Sequence, residues 1–187
     1  MTRCLLLPAL ALAFTLLAGC GCPAARGAGP VAPCPAAAGG GGPKLTLLGD
    51  DDVRATSLFA DFLRQNGIQV LKQEPKAVVV RHRGVGAIML PKIYNGNTID
   101  RVIVTRVFGP KPEYRGRPEI AQLALELNDK LNIAQFWVHT DGNLMLTTHI
   151  TFLDELTLAE LDAFFVWMSQ TTRQMLQVVP SMSQYIE

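Results

Sequence analysis

Apolar and polar positions change rhythm several times along the chain, and each rhythm predicts an element. Ala55, Leu58, Phe59, Phe62 and Leu63 recur at helical spacing. Asp50-Asp51-Asp52 just before them offers an N-cap and negative charge where the helix dipole is positive. Asn66-Gly67 supplies the stop. Residues 68 to 108 then switch to short β-rich runs carrying Ile68, Val70, Val78, Val80, Ile88, Leu90, Ile93, Val102, Val104 and Phe108. Pro75, Gly84, Gly86, Pro91 and Asn95-Gly96-Asn97 punctuate these runs, which predicts about three antiparallel strands joined by turns.

A helical rhythm returns after Pro118, a residue suited to a first helical turn. Ile120, Leu123, Ala124, Leu127 and Leu131 form one apolar stripe. Residues 133–140 and 143–152 then flank Asp141-Gly142, a dipeptide suited to a two-residue type I′ hairpin turn. In that register Trp137 and His139 face the same side as Leu144 and Leu146. Thr157-Leu158-Ala159-Glu160 reads as a capping box that opens a last helix ending before Pro180. Its broad apolar face holds Leu161, Phe164, Phe165, Met168, Thr172, Met175, Leu176 and Val179. The predicted order is α-βββ-α-ββ-α. Segregated helices and strands point to an α+β fold with helices packed on an antiparallel sheet.

The first 43 residues follow no such rhythm. Arg3 precedes an apolar run from Leu5 to Leu17, too short for the roughly 20 residues of a spanning helix. A charged start, a short apolar middle and small residues at the end fit an exported signal over residues 1–19. That run closes on Leu17-Ala18-Gly19-Cys20, which matches the lipobox of bacterial lipoproteins. The small residues admit a peptidase, and the Cys20 thiol would carry the lipid. From Cys20 to Pro43 the chain is almost entirely Gly, Ala and Pro, the composition of a flexible tether. Gly21 rather than Asp after the cysteine favours the periplasmic face of an outer membrane in a Gram-negative host. Cys22 and Cys34 could pair in an oxidising compartment. Residues 44–187 contain no cysteine and must fold on a conventional core.

Charge sharpens this picture. From Arg81 to Arg117 there are eight basic residues (Arg81, Arg83, Lys92, Arg101, Arg106, Lys111, Arg115, Arg117) against two acids, whereas the segment from Pro118 onward is acidic. The two halves could neutralise each other within the fold or across a dimer. Alternatively, the basic stretch could lean on anionic headgroups or an acidic partner. Nucleic acid is a poor partner for an exported lipoprotein, and the aromatic-rich basic stripe it would need is missing. His82, His139 and His149 do not converge in the assumed register, where His139 and His149 point to opposite sheet faces. No metal site is expected. Gly84-Val85-Gly86 lacks the third glycine of a dinucleotide fingerprint, so its glycines read as turn residues. No serine lies in a Gly-x-Ser-x-Gly elbow. The expectation is a protein without catalysis and without a cofactor.

Leu127-Asn128-Asp129-Lys130-Leu131-Asn132, the aromatic strand Phe136-Trp137-Val138, the Asp141-Gly142 turn and Leu156-Thr157-Leu158-Ala159-Glu160-Leu161 together resemble the YbjN-type domain. That family is labelled a bacterial sensory transduction regulator. The resemblance spans about Asp50 to Pro180. It implies a fold similar to that of type III secretion chaperones, small α+β proteins that often form homodimers and bind segments of other proteins. It brings no catalytic residues. The leading expectation is a membrane-anchored lipoprotein whose domain binds or assembles proteins in the cell envelope. The alternative is a small-ligand or lipid-binding module, with a cavity between sheet and helices lined by Trp137, Phe164, Phe165, Trp167 and Met168.

Overall fold

The computed structural model describes residues 42–47, 51–94, 99–153 and 155–187. The lipobox, Cys22, Cys34, Asp50, Asn95-Gly96-Asn97 and Asp154 lie outside them. In chain order the elements are β1 (Lys44–Thr46), α1 (Asp52–Gln65), β2 (Gln69–Glu74), β3 (Ala77–His82), β4 (Val85–Lys92) and β5 (Asp100–Phe108). After a 3-10 turn at Pro112–Tyr114 come α2 (Pro118–Lys130), β6 (Gln135–Val138), β7 (Leu144–Phe152), β8 (Glu155–Thr157), α3 (Leu158–Val178) and α4 (Met182–Tyr185).

Local chemistry explains the helix ends. Of the aspartates, Asp51 is the N-cap, and its carboxylate accepts from the Val53 and Arg54 amides at 2.9 and 2.8 Å. Gly67 takes the left-handed conformation that ends α1. Pro118 opens α2 as expected. The capping box forms in full at α3: Thr157 Oγ1 accepts from the Glu160 amide, and the Glu160 carboxylate accepts from the Thr157 amide.

Six strands form one antiparallel sheet in the order β2-β3-β4-β5-β7-β6, and β1 pairs with β8 in a separate two-stranded ribbon. The helices bury their apolar stripes on one face of the large sheet. There Phe59, Leu63, Ile120, Leu127, Leu161 and Phe165 share a core with Val78, Val80, Met89, Val102, Val104, Leu144 and Leu146. The α+β class is therefore the observed one.

Strand number and register differ from the sequence expectation. Residues 68 to 108 make four strands, because Pro75-Lys76 splits the first run in two and Arg83-Gly84 splits the next. Arg83 and Gly84 both have positive φ (49° and 76°), so the two-residue primed turn of this protein lies here. Gly86 is no turn residue; it sits inside β4. At the β6–β7 hairpin only Gly142 has a positive φ (86°), and the Gly142 amide donates to the His139 carbonyl at 2.9 Å. The loop thus has three residues, Thr140 to Gly142, and His139 pairs with Asn143. Asp141 stays out of the left-handed region, its carboxylate accepting from the Asn143 amide at 3.0 Å. This one-residue change moves every β6 side chain to the other face. Trp137 pairs with Met145 and points away from the side of Leu144 and Leu146, which face Val138 and Phe136.

Candidate functional site

Strand pairing lays out the uncovered face of the large sheet as a grid. One row holds Trp137, Met145 and Val107, with Gly86, Arg81 and Gln69 continuing it. A second holds Gln135, Thr147, Thr105, Ile88, Val79 and Lys72. A third holds His149, Ile103 and Leu90, then Ala77 and Glu74. The middle of this grid is apolar, although among the described residues no helix lies over it. Val107 is 42% exposed and Trp137 38%. Antiparallel sheets with one wet face alternate apolar and polar positions, but Ala77-Val78-Val79-Val80 and Ala87-Ile88-Met89-Leu90 run apolar without a break. Such runs belong to strands covered on both sides.

The polar groups within the grid are turned on one another. Trp137 Nε1 donates to Thr147 Oγ1 at 2.9 Å, and Thr147 Oγ1 lies 3.3 Å from Thr105 Oγ1. This chain crosses β6, β7 and β5, so the three groups keep partners when water leaves the face. Between Val107 and Val79 the face dips over Gly86 into a depression of about 280 Å³, lined also by Leu71, Ile88 and Thr105.

Both sheet edges carry obstacles to strand addition. On the β6 edge the Asn128 amide reaches from α2 to the Phe136 backbone. Its Nδ2 donates to the carbonyl at 2.7 Å and its Oδ1 accepts from the amide at 2.8 Å. Asn128 thus occupies the place a neighbouring strand would take. The β2 edge has a bulge at Leu71 and carries Lys72 and Glu74, an ion pair at 2.6 Å. What the sheet offers is its face.

The eight basic residues do not gather into one patch. Arg81 stands exposed at one corner of the grid, and Arg101 lies at the opposite end over the Tyr94 ring. Three others turn back onto the fold. Arg83 bridges to Asp162 at 2.9 Å, Lys92 to Asp52, and Lys111 donates to the Ser183 carbonyl. Arg106 points inward to Thr172 and over the Phe108 ring, where burial lowers its pKa. Arg115 and Arg117 are exposed beside the β6–β7 turn, where Gly116 packs against Gly142.

The histidines also take separate places. His82 is held by Asp162 at 2.7 Å and stacks edge-on against Phe165. Arg83 first, and His82 beside it, hold the Asp162 carboxyl down to about 2. His139 and His149 lie on the same sheet face, contrary to the register assumed from sequence. Six residues of β7 separate His149 from the partner of His139, roughly 20 Å at about 3.3 Å per residue. Among the described residues no cluster of three or more His, Cys, Asp or Glu could hold a metal. The five residues suggested for an internal cavity are split: Phe165 and Met168 are fully buried in the core, and Trp137 is on the other side of the sheet. Among the described residues no helix is long and apolar enough to cross a membrane.

A family model described as "putative bacterial sensory transduction regulator", YbjN, matches residues 57–179. The crystal structure of YbjN from E. coli, titled a putative transcription regulator, aligns with a TM-score of 0.41 at 14% identity, covering 70% of this chain and 94% of that one. No curated protein matches the chain.

Proposed function

Because this chain belongs to the YbjN family, whose model matches most of its length, we propose that it is a non-catalytic assembly module of the cell envelope, anchored by lipid on Cys20. In this reading Leu17, Ala18 and Gly19 direct processing, and residues 21–43 tether the domain to the periplasmic face of the outer membrane. The domain then joins proteins rather than transforming a substrate. One observation carries the binding half of the proposal. The open sheet face is apolar, and its central polar groups already satisfy one another through Trp137, Thr147 and Thr105. Such a face loses water at little cost in hydrogen bonds, and a contiguous uncovered apolar face marks an interaction surface. The anchoring half rests on the Leu-Ala-Gly-Cys string. Two or more acyl chains would hold the protein firmly to a bilayer.

One experiment addresses both halves. The full chain, Cys20→Ser and Val107→Glu are expressed in the bacterial host, fed a labelled fatty acid, crosslinked and recovered. The wild type should carry label, stay with the membrane and bring crosslinked protein with it. Cys20→Ser should lose label and membrane retention. Val107→Glu should keep both and lose its crosslinked partner. Label on Cys20→Ser would overturn the anchor, and an unchanged crosslink in Val107→Glu would overturn the face.

A further inference from the structure

We propose that the cavity between the end of β5, α3 and α4 binds a small monocarboxylate with an apolar body, held through Arg106; this stands apart from the face-binding reading and from the lipid anchor. The side of β5 turned to the helices carries Val102, Val104 and Phe108, all buried, and Arg106 interrupts that row. A face covered by helices asks for one more apolar residue at this position. Arg106 instead sends a charged group toward α3, half-buried among apolar neighbours. Taking a cation out of water is costly unless a counter-charge receives it.

The fold fixes this guanidinium without neutralising it. Thr172 Oγ1 accepts from Arg106 Nη1 and itself donates to the Met168 carbonyl at 3.3 Å. The Phe108 ring lies below, its centroid 4.9 Å from the guanidinium carbon. Among the described residues no carboxylate pairs with Arg106, whereas Arg83 and Lys92 each meet an aspartate. Arg106 Nε and Nη2 have no protein partner among those residues. Together they are one side of the fork that grips a carboxylate through two parallel hydrogen bonds. The other polar neighbours are engaged elsewhere: the Ser183 hydroxyl donates to the Pro180 carbonyl at 2.9 Å, and the Glu187 amide to the Gly109 carbonyl at 3.0 Å.

The space beside Arg106 is about 270 Å³. That is room for about nine waters at roughly 30 Å³ each, and so for a ligand of on the order of ten non-hydrogen atoms. Phe108, Leu176, Met182 and Ile186 give it apolar walls. A short alkyl or aryl acid matches both halves, its carboxylate on Arg106 and its body on these walls. The single cation also sets the ligand's charge. Glu187 lines the same cavity, so a phosphate or a dicarboxylate would meet an acidic side chain with no second lining cation to offset it. None of the five residues suggested from sequence for a ligand cavity lines this one.

The test titrates the full chain, in a neutral detergent at fixed ionic strength, with sodium hexanoate, sodium acetate and hexanol. Binding is read by saturation-transfer NMR and stability by the urea midpoint. Hexanoate should bind saturably and raise the wild-type midpoint. Acetate has the charge without the body, and hexanol the body without the charge; each should bind at least tenfold more weakly. Arg106→Met keeps the bulk and removes the charge. It should lose hexanoate binding yet, without ligand, unfold at a urea concentration equal to or above that of the wild type, because the charge it removes has no acidic partner. An arginine that served only the fold would give a lower midpoint and leave hexanoate binding in place. Leu176→Glu, at the exposed rim of the cavity, should fold as the wild type does and weaken hexanoate at least tenfold. No saturable binding of hexanoate to the wild type would overturn the proposal. So would binding that survives in Arg106→Met or Leu176→Glu, or acetate or hexanol binding as tightly as hexanoate.

Discussion

On α2 the side chain of Asn128 uses its oxygen and its nitrogen on the two outward backbone groups of Phe136. Either group left bare would be a template for another strand. Asn128→Ala removes two hydrogen bonds at about 1 kcal/mol each, so it should lower stability by about 2 kcal/mol in urea titration. It should also raise aggregation of the native protein, because the β6 edge then stands open. Asn128→Asp can accept from the amide but cannot donate, and should fall between. A variant as stable and soluble as wild type would show that the edge is guarded by something else. The sequence displays Asn128 within Leu127–Asn132 but not its task, since Phe136 lies eight residues on, beyond the helix end. The same holds for Trp137. Its partner Thr147 is fixed only by a hairpin register that Asp141-Gly142 leaves ambiguous between two-residue and three-residue loops.

Between elements, Asp162 on α3 ties down the β3–β4 turn through Arg83 and His82. Its carboxyl is held to about 2, below the ordinary 3.8. The folded state therefore favours the ionised form. The stabilisation is complete above the ordinary carboxylate range and is lost as pH falls from about 4 through about 2. The pairing is largely solvated, so the effect is small. Measured against Asp162→Asn, the wild-type advantage in urea midpoint should be constant near neutrality and vanish toward pH 2. An advantage that persists at pH 2 would contradict the clamp. At this scale the helices were the most legible parts of the chain, because caps and stripes are local: Asp51, Pro118, Thr157 and Glu160 act as their neighbours predict. Strands were less legible for a physical reason. The runs around Val78–Val80 and Ile88–Leu90 are apolar on both faces, so they lack the alternation that separates one strand from the next. The turn between them uses Arg83 at positive φ, which composition does not advertise. β1, β8 and α4 are too short to leave a periodic signal.

For the whole molecule, the uneven charge along the chain resolves partly inside the fold, with Arg83 on Asp162 and Lys92 on Asp52. What remains conspicuous is apolar: the sheet face away from the helices. That its apolar runs share one uncovered face depends on the strand order β2-β3-β4-β5-β7-β6, which no local pattern encodes. The direct measurement is site-specific crosslinking in intact membranes. The domain has no cysteine of its own, so the full chain with Cys22→Ser and Cys34→Ser can carry Val107→Cys on the face or Leu125→Cys on α2. With a short maleimide–aryl azide crosslinker, the account predicts crosslinked protein from Val107→Cys and none from Leu125→Cys. Equal crosslinking from both positions, or none from Val107→Cys while the protein remains folded and membrane-bound, would contradict it.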